Sequence, residues 1–392
     1  VITPQDHRCV AGVMSGTSLD GVDVVIAHLD GHGKDLCIKK WFGASYSFPD
    51  PLYDGLKRAA DQEQISVVEL SQLNVRLAHE YAHTIKTTIE AGGMSMEQLD
   101  LVGCHGQTIR HIPNQEKIAG KMIHSTFQIG DPATMSQILG VPVIGDFRLA
   151  DMACGGQGAP LVPYFDYVIF THDQQTRGCL NIGGVANITV LLPSAEIQDV
   201  YGFDTGPGNL LMDSLCRQFF NLPYDEGGRI AQSGTVHEPL LSQCLEDAYF
   251  TATPPKTTGR EYLTSVFLNE FLHQSSQISL EDLVATATAL TAASVWKGYE
   301  TFIQPRCTLD RLIVSGGGAH NQALMDYLKD YFSLSKTPVV IETTDPYGID
   351  ADSKEALCFA VLAHETANGI PTSIPSVTGA HRSAVLGKLC MA

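Results

Sequence analysis

Apolar residues lead into the segment Gly12–Asp23 (GVMSGTSLDGVD) as Val10, Ala11 and Val13, and leave it as Val24, Val25, Ile26 and Ala27. Small residues, two hydroxyls and two carboxylates stand between. Such a run reads as strand, tight turn, strand. Glycines at Gly12, Gly16 and Gly21 let the backbone bend and let a ligand approach its N–H groups, since no Cβ intervenes. Thr17 and Ser18 can donate to phosphate oxygens. Asp20 and Asp23 repel a bare phosphate, so one of them is expected to face it through a cation such as Mg2+. A polar hairpin with turn-forming Gly and Asp is the plainer reading of the segment alone. A second segment changes the balance: Asn181–Ile188 (NIGGVANI) sets Gly183 and Gly184 between two apolar strands.

Around these hairpins the chain alternates strand-like and helix-like pieces. In the first part the expected strands are Cys9–Met14, Val24–Leu29, Ile38–Phe48, Leu99–Cys104, Thr126–Ile129 and Pro142–Ile144. Helices are expected over Pro51–Ala60 and Ser66–Ala91. In the latter, Val67, Leu70, Leu73, Leu77, Tyr81 and Ile85 recur at helical spacing and make one apolar stripe. The second part opens with strands over Cys179–Leu192. It continues through helices Asn209–Phe220, Glu238–Phe250, Leu263–Ser275 and Glu281–Phe302, strand Leu312–Ser315, helix Asn321–Tyr331, strand Val339–Glu342 and helix Ser353–Asn368. The expected division is an α/β domain over 1–145, with 370–392 packing back on it, and a second over 146–369.

With 44% hydrophobic and 17% charged residues, the 392-residue chain has enough apolar material for two cores. A net charge of −18 argues against nucleic acid or an anionic membrane as partner. Any anion site must then be local, built from backbone N–H groups, a few cations and metal. The ten cysteines show neither C-x-x-C nor zinc spacing, which suits reduced thiols. No apolar run has the length of a membrane span and no signal-like segment is evident, so a cytoplasmic location is expected.

Five more segments carry polar groups in positions suited to chemistry. Gly103–His111 (GCHGQTIRH) follows a strand and offers donors for a polyhydroxylated ligand, or a hydrogen-bonded strand end. Asp146-Phe147-Arg148, Asp151 and Gly155–Pro160 (GGQGAP) form a long loop in which Arg148 suits a carboxylate. Gly202–Asn209 (GFDTGPGN) places Asp204 at a strand end, where a rigidly held carboxylate can act as general base. Ser315–Asn321 (SGGGAHN) sets Gly316, Gly317 and Gly318 between strand and helix, as a ring or phosphate against the backbone would need. Glu355 lies near a helix start, where the dipole alone would favour it.

Together MSGTSLDGVD, GCHGQTIRH, DFRxxDxxxGGQGAPLVP, LNIGGxANI, GFDTGPGN, KTTGRE, SGGGAHN and SVTGA resemble the anhydro-N-acetylmuramic acid kinase family, in order and over essentially the whole chain. Two departures are a longer Asn114–Ser125 connection and Leu149 and Ala150 where further Arg residues often stand. The resemblance implies a two-domain actin-like (ribonuclease H-like) ATPase fold with the nucleotide in a central cleft, and ATP with Mg2+. It implies hydrolytic opening of 1,6-anhydro-N-acetylmuramic acid with phosphorylation of O6, in peptidoglycan recycling. It also implies that Asp204 is the base that activates water. Gly16, Thr17, Ser18, Leu19, Asp20, Gly21, Val22 and Asp23 would form the phosphate loop, with Asn181, Gly183, Gly184 and Gly316–Gly318 on the second ATP-binding face. Asp20 and Glu355 would lie near the metal, and Arg148, Gln157 and Glu355 would meet the substrate. A homodimer is the expected assembly. Rivals are a kinase for another anhydrosugar such as levoglucosan, which lacks the lactyl carboxylate Arg148 would hold, and an actin-like or heat-shock-like ATPase switch.

Overall fold

The computed structural model describes residues 3–392 apart from 17, 18, 20, 62–64, 259 and 275, with backbone alone at 114, 260, 261, 264 and 265. Thr17, Ser18 and Asp20 of the first glycine turn therefore lie outside the described residues. The chain divides into two compact units, Val1–Ile169 with Ser353–Ala392, and Phe170–Asp352. This division differs from the expected one at 145 and 369, for local reasons. Asp151 accepts hydrogen bonds from Gly158 N and Thr378 Oγ1, tying the loop after residue 146 to the C-terminal segment. The helix Lys354–Ala367 lies directly on the first sheet.

The first unit contains β1 (His7–Met14), β2 (Val22–Asp30), β3 (Cys37–Tyr46), β4 (Leu101–Cys104), β5 (Gln107–Ile118), β6 (Lys121–Ile129) and β7 (Val143–Gly145). Its main sheet has the order β7-β4-β1-β2-β3, with the C-terminal strand Lys388–Cys390 outside β7. β1, β2 and β3 pair antiparallel, whereas β4 and β7 join in parallel. β5 and β6 form a separate hairpin: β6 contains the expected strand Thr126–Ile129, whereas β5 was not expected as a strand. Its two turn residues, Ala119 and Gly120, both have positive φ (49° and 84°), which matches the right-handed twist of the flanking strands.

The second unit contains β8 (Arg177–Ile182), β9 (Val185–Leu191), β10 (Tyr201–Pro207), β11 (Arg311–Ser315) and β12 (Val340–Thr343), in the order β10-β9-β8-β11-β12. β8, β9 and β10 again pair antiparallel, and β11 and β12 again join in parallel. Both units thus repeat one topology, an antiparallel three-strand meander extended by two parallel strands. This is the actin-like, ribonuclease H-like fold expected from the motifs.

Side-chain alternation explains how the first sheet is covered on both faces. Ala11, Val13, Val24 and Ile26 join Leu77, Tyr81 and Ile85 of the helix Val67–Ala91 in one core. That helix starts where Ser66 Oγ accepts the Glu69 N–H at 3.1 Å, a cap worth about 1 kcal/mol. The opposite face carries Gly12 and Gly103, direct partners across β1 and β4. A Cβ on Gly12 would fall 1.9 Å from Ala356 O, and one on Gly103 would fall 2.1 Å from Phe359 O. Gly12 therefore makes room for a helix rather than for a ligand.

In the second unit the helix Leu280–Gly298 is buried along most of its length. It carries threonines without stranding their hydroxyls: Thr286 and Thr288 donate to the carbonyls of Asp282 and Val284, at 2.6 and 2.8 Å. Thr291 donates instead to Gly208 O at 2.8 Å, which fixes the bend after β10. No helix among the described residues is long and apolar enough to cross a membrane.

Candidate active site

In the first unit the turn after β1 is closed by Leu19 N–H donating to Gly16 O at 3.2 Å. Gln107 Nε2 donates to the same carbonyl at 3.1 Å. Leu19 takes a left-handed backbone (φ 62°) with its side chain in the core, and Val22 is buried there too. These two can offer a ligand only backbone groups. Gly21 is needed by β3, because a Cβ would fall 2.2 Å from Tyr46 O. Asp23 Oδ1 accepts from Ser45 Oγ at 2.5 Å, so this carboxylate is engaged across β2 and β3.

Arg148 lies in the first turn of the short helix Phe147–Ala153 and is half-buried. Its Nε donates to His105 Nε2 at 3.0 Å and its Nη1 to Gly158 O at 2.8 Å, leaving Nη2 without a partner among the described residues. Because His105 Nε2 accepts, Nδ1 carries the proton and donates to Gly106 O at 2.8 Å. The ring stays neutral: burial, reinforced by the Arg148 charge, pushes its pKa well below the ordinary value. Burial also draws Arg148 down to about 10, opposed by the Glu355 carboxylate, so the guanidinium remains charged at neutral pH. His111 is pushed to about 4 by burial and by Arg148.

Two amide oxygens near this arginine are buried without a partner among the described residues, Gln107 Oε1 and Gln157 Oε1. An unsatisfied buried acceptor costs about 1–3 kcal/mol, a cost that a ligand hydroxyl or amide would relieve. The loop carrying Gln157 is rigid. A Cβ on Gly156 would fall 2.2 Å from Asp151 Oδ2, and Gln157 N–H donates to Thr378 O at 2.9 Å. Asp151 has both oxygens committed to this scaffold. Glu355 sits in the first turn of the helix Lys354–Ala367, half-buried.

The second unit gathers its glycines around the β8–β9 turn. Gly183 O accepts from Asn209 N at 2.8 Å, and Gly184 O accepts from Gly208 N at 3.0 Å. A Cβ on Gly184 would meet nothing within 4 Å, so open space adjoins the turn. Gly316 has φ 79° and stands over Ile182 O, while Gly318 packs on the Ile182 side chain. Asn181 Oδ1 accepts from Ser315 Oγ at 3.2 Å, linking β8 to β11 at the root of the triple glycine. The structure thus brings Asn181, Gly183, Gly184 and Gly316–Gly318 to one end of one sheet. Backbone groups facing open space beside glycines are what anion binding requires.

Asp204 lies at an irregularity in β10, between its pairing with Asn187 and that of Gly206 with Ala186. It is 8% exposed. Its Oδ2 accepts from Thr258 N at 2.9 Å, and its N–H donates to Lys256 O at 3.1 Å. Tyr249 OH donates to Asp204 O at 2.7 Å. Burial raises the carboxyl to about 7, while the Thr258 N–H and the Lys256 charge pull it down. A group poised there can take a proton at neutral pH and release it again. Thr258, Lys256 and Tyr249 were not singled out from the sequence, although the first two belong to the KTTGRE motif.

The family model for anhydro-N-acetylmuramic acid kinase matches residues 8–392. A curated anhydro-N-acetylmuramic acid kinase from Salinibacter ruber is 46% identical over 387 residues, covering 98% of this chain and 96% of that one. One from Bacillus cereus is 40% identical over 380 residues, covering 97% and 98%. Among solved structures, a ROK family glucokinase from Streptomyces griseus in complex with glucose and AMPPNP has a TM-score of 0.40 at 11% identity, covering 91% of this chain and 99% of that one.

Proposed function

The chain belongs to the anhydro-N-acetylmuramic acid kinase family, and from that premise we propose that it opens 1,6-anhydro-N-acetylmuramic acid with water and phosphorylates O6 at the expense of ATP. The products are N-acetylmuramic acid 6-phosphate and ADP, a step in the recycling of peptidoglycan sugars. The observation that carries the mechanism is Asp204, a buried carboxylate raised to about 7 on a rigid strand. Asp204 takes a proton from water as the water oxygen bonds to C1. The C1–O6 bond breaks with its electrons on O6, O6 attacks the γ-phosphorus, and the bond from that phosphorus to ADP breaks. One base therefore drives both events.

The β8–β9 turn and Gly316–Gly318 supply backbone donors and close approach for the nucleotide, with the Gly16–Asp23 turn as the other phosphate loop. Phosphoryl transfer asks mainly for such positioning and charge neutralisation. In the first unit, Arg148 Nη2 suits the lactyl carboxylate, and the Gln107 and Gln157 oxygens, without a partner among the described residues, suit sugar hydroxyl or amide donors. Mg2+ takes one or two carboxylates beside substrate phosphates and water. Glu355 has that chemistry, and with Asp20 it would hold the ion, whose charge offsets that of the phosphates. A homodimer is the assembly we expect, to be read by light scattering.

The test is ADP release with and without anhydrosugar, followed by product analysis in H2(18)O. Strong dependence on 1,6-anhydro-N-acetylmuramic acid is expected, with the label at C1 and none in the phosphate. ATP turnover indifferent to sugar, or label in the phosphate, overturns the proposal.

A further inference from the structure

Lys256 is buried, with its ammonium enclosed by three aromatic rings. Nζ lies 4.4 Å from the ring centre of Tyr249, 5.2 Å from that of Phe302 and 5.7 Å from that of Phe203, and it donates to Tyr249 O at 2.9 Å. A desolvated ammonium over ring faces is held by each quadrupole and by the carbonyl together. The same residue's carbonyl accepts the Asp204 N–H, and Thr258, two positions on, donates its N–H to Asp204 Oδ2. Tyr249 closes the loop through its hydroxyl on Asp204 O.

We propose that Lys256 is a positioning residue for Asp204: its caged ammonium anchors the segment 256–258, whose backbone grips both the amide and the carboxylate of Asp204, and its charge favours the ionised base. This rests on the reading of Asp204 as the base. The charged and titratable groups around the ammonium are Asp204, which stabilises its charge, Lys297, which opposes it, and the buried Tyr249 phenol. Asp247 stands behind Tyr249, accepting from Tyr249 N and Tyr262 OH. Burial brings Lys256 down to about 8, so it is protonated through the range in which Asp204 titrates.

The experiment is the pH profile of kcat/KM for Lys256→Met and Lys256→Arg, with retained nucleotide-analogue binding as the criterion of folding. Methionine keeps the length and apolar stem while removing the charge. Its acid limb should move up by about one pH unit, a loss of about tenfold on the acid side that recovers as pH rises. Arginine keeps the charge over the rings and should hold the limb near the parent's position. If Lys256→Met does not fold, Phe302→Leu loosens the cage without touching Asp204 and should move the limb in the same direction by less. A limb superposing on the parent's in the folded uncharged or cage variant overturns the proposal. Asp204→Asn separates the two readings. Full activity in that variant defeats the base assignment, whereas an inactive Asp204→Asn beside an unmoved Lys256 limb defeats this inference alone.

Discussion

Replacing Asp204 by asparagine should make the protein more stable while sharply lowering turnover. The carboxyl is raised from 3.8 to about 7 in the folded chain, chiefly by burial. Between those values the folded state binds the proton more tightly than the unfolded state, so stability falls as pH rises through the interval. The full shift corresponds to an ionisation penalty of roughly 4 kcal/mol at pH 7.5. Asparagine can still accept the Thr258 N–H through its amide oxygen, and it carries no charge. The Lys256 ammonium loses an opposite charge, which takes back part of the gain. A net stabilisation of about 2 kcal/mol is expected, worth roughly 4–8 °C in Tm for a unit of this size. The gain should shrink as pH falls towards 4 and vanish below the unfolded value of 3.8, where the parent carboxyl becomes protonated in both states. Thermal unfolding of both proteins from pH 4 to 8 reads this directly, beside a kcat lowered about 10²- to 10⁴-fold as for loss of a general base. A Tm difference independent of pH, or a less stable variant at pH 7.5, refutes the account of Asp204 as a strained, functional carboxylate.

Gly12→Ala should destabilise the first unit by about 1–3 kcal/mol or more, read by thermal or denaturant unfolding, because its Cβ would fall 1.9 Å from Ala356 O and the helix carrying Glu355 must withdraw. Gly184→Ala should leave Tm unchanged, since its Cβ meets nothing within 4 Å, yet weaken nucleotide binding in a titration. Arg148→Lys cannot serve His105 Nε2, Gly158 O and a ligand carboxylate at once. Its KM for the sugar should rise about 10- to 100-fold, as for a lost charge-assisted hydrogen bond, with nucleotide affinity held.

These variants also separate what sequence pattern can carry from what only the fold supplies. The two hairpins were legible because apolar runs on either side of small residues leave the chain little but strand, turn and strand. Asp204 stood out in the sequence because a carboxylate between an apolar strand and a glycine-rich bend is costly to bury without a partner; the structure sets it not at the strand end but within β10, at the irregularity before Gly206. Lys256 and Thr258 did not stand out, since they reach Asp204 only after the chain has folded through the intervening helices, and no local periodicity encodes that meeting. Gly12 and Gly21 show a subtler limit of pattern. A missing Cβ signals that something comes close, and in the Gly12–Asp23 segment two of the three glycines admit protein: the Ala356 carbonyl of a helix and the Tyr46 carbonyl of a strand. In the second hairpin Gly184 has open space beside it, so there the same residue type does leave room for a ligand. A glycine can therefore mark a phosphate contact only where the neighbouring volume is empty. The compact units divide after Ile169 rather than near residue 145 for a related reason. Asp151 and Thr378 are far apart in the chain, and their hydrogen bond, not any change in composition, ties the Arg148 loop to the C-terminal segment of the first unit. Composition reports where a chain could be cut, whereas a buried carboxylate satisfied from both sides reports where it holds together.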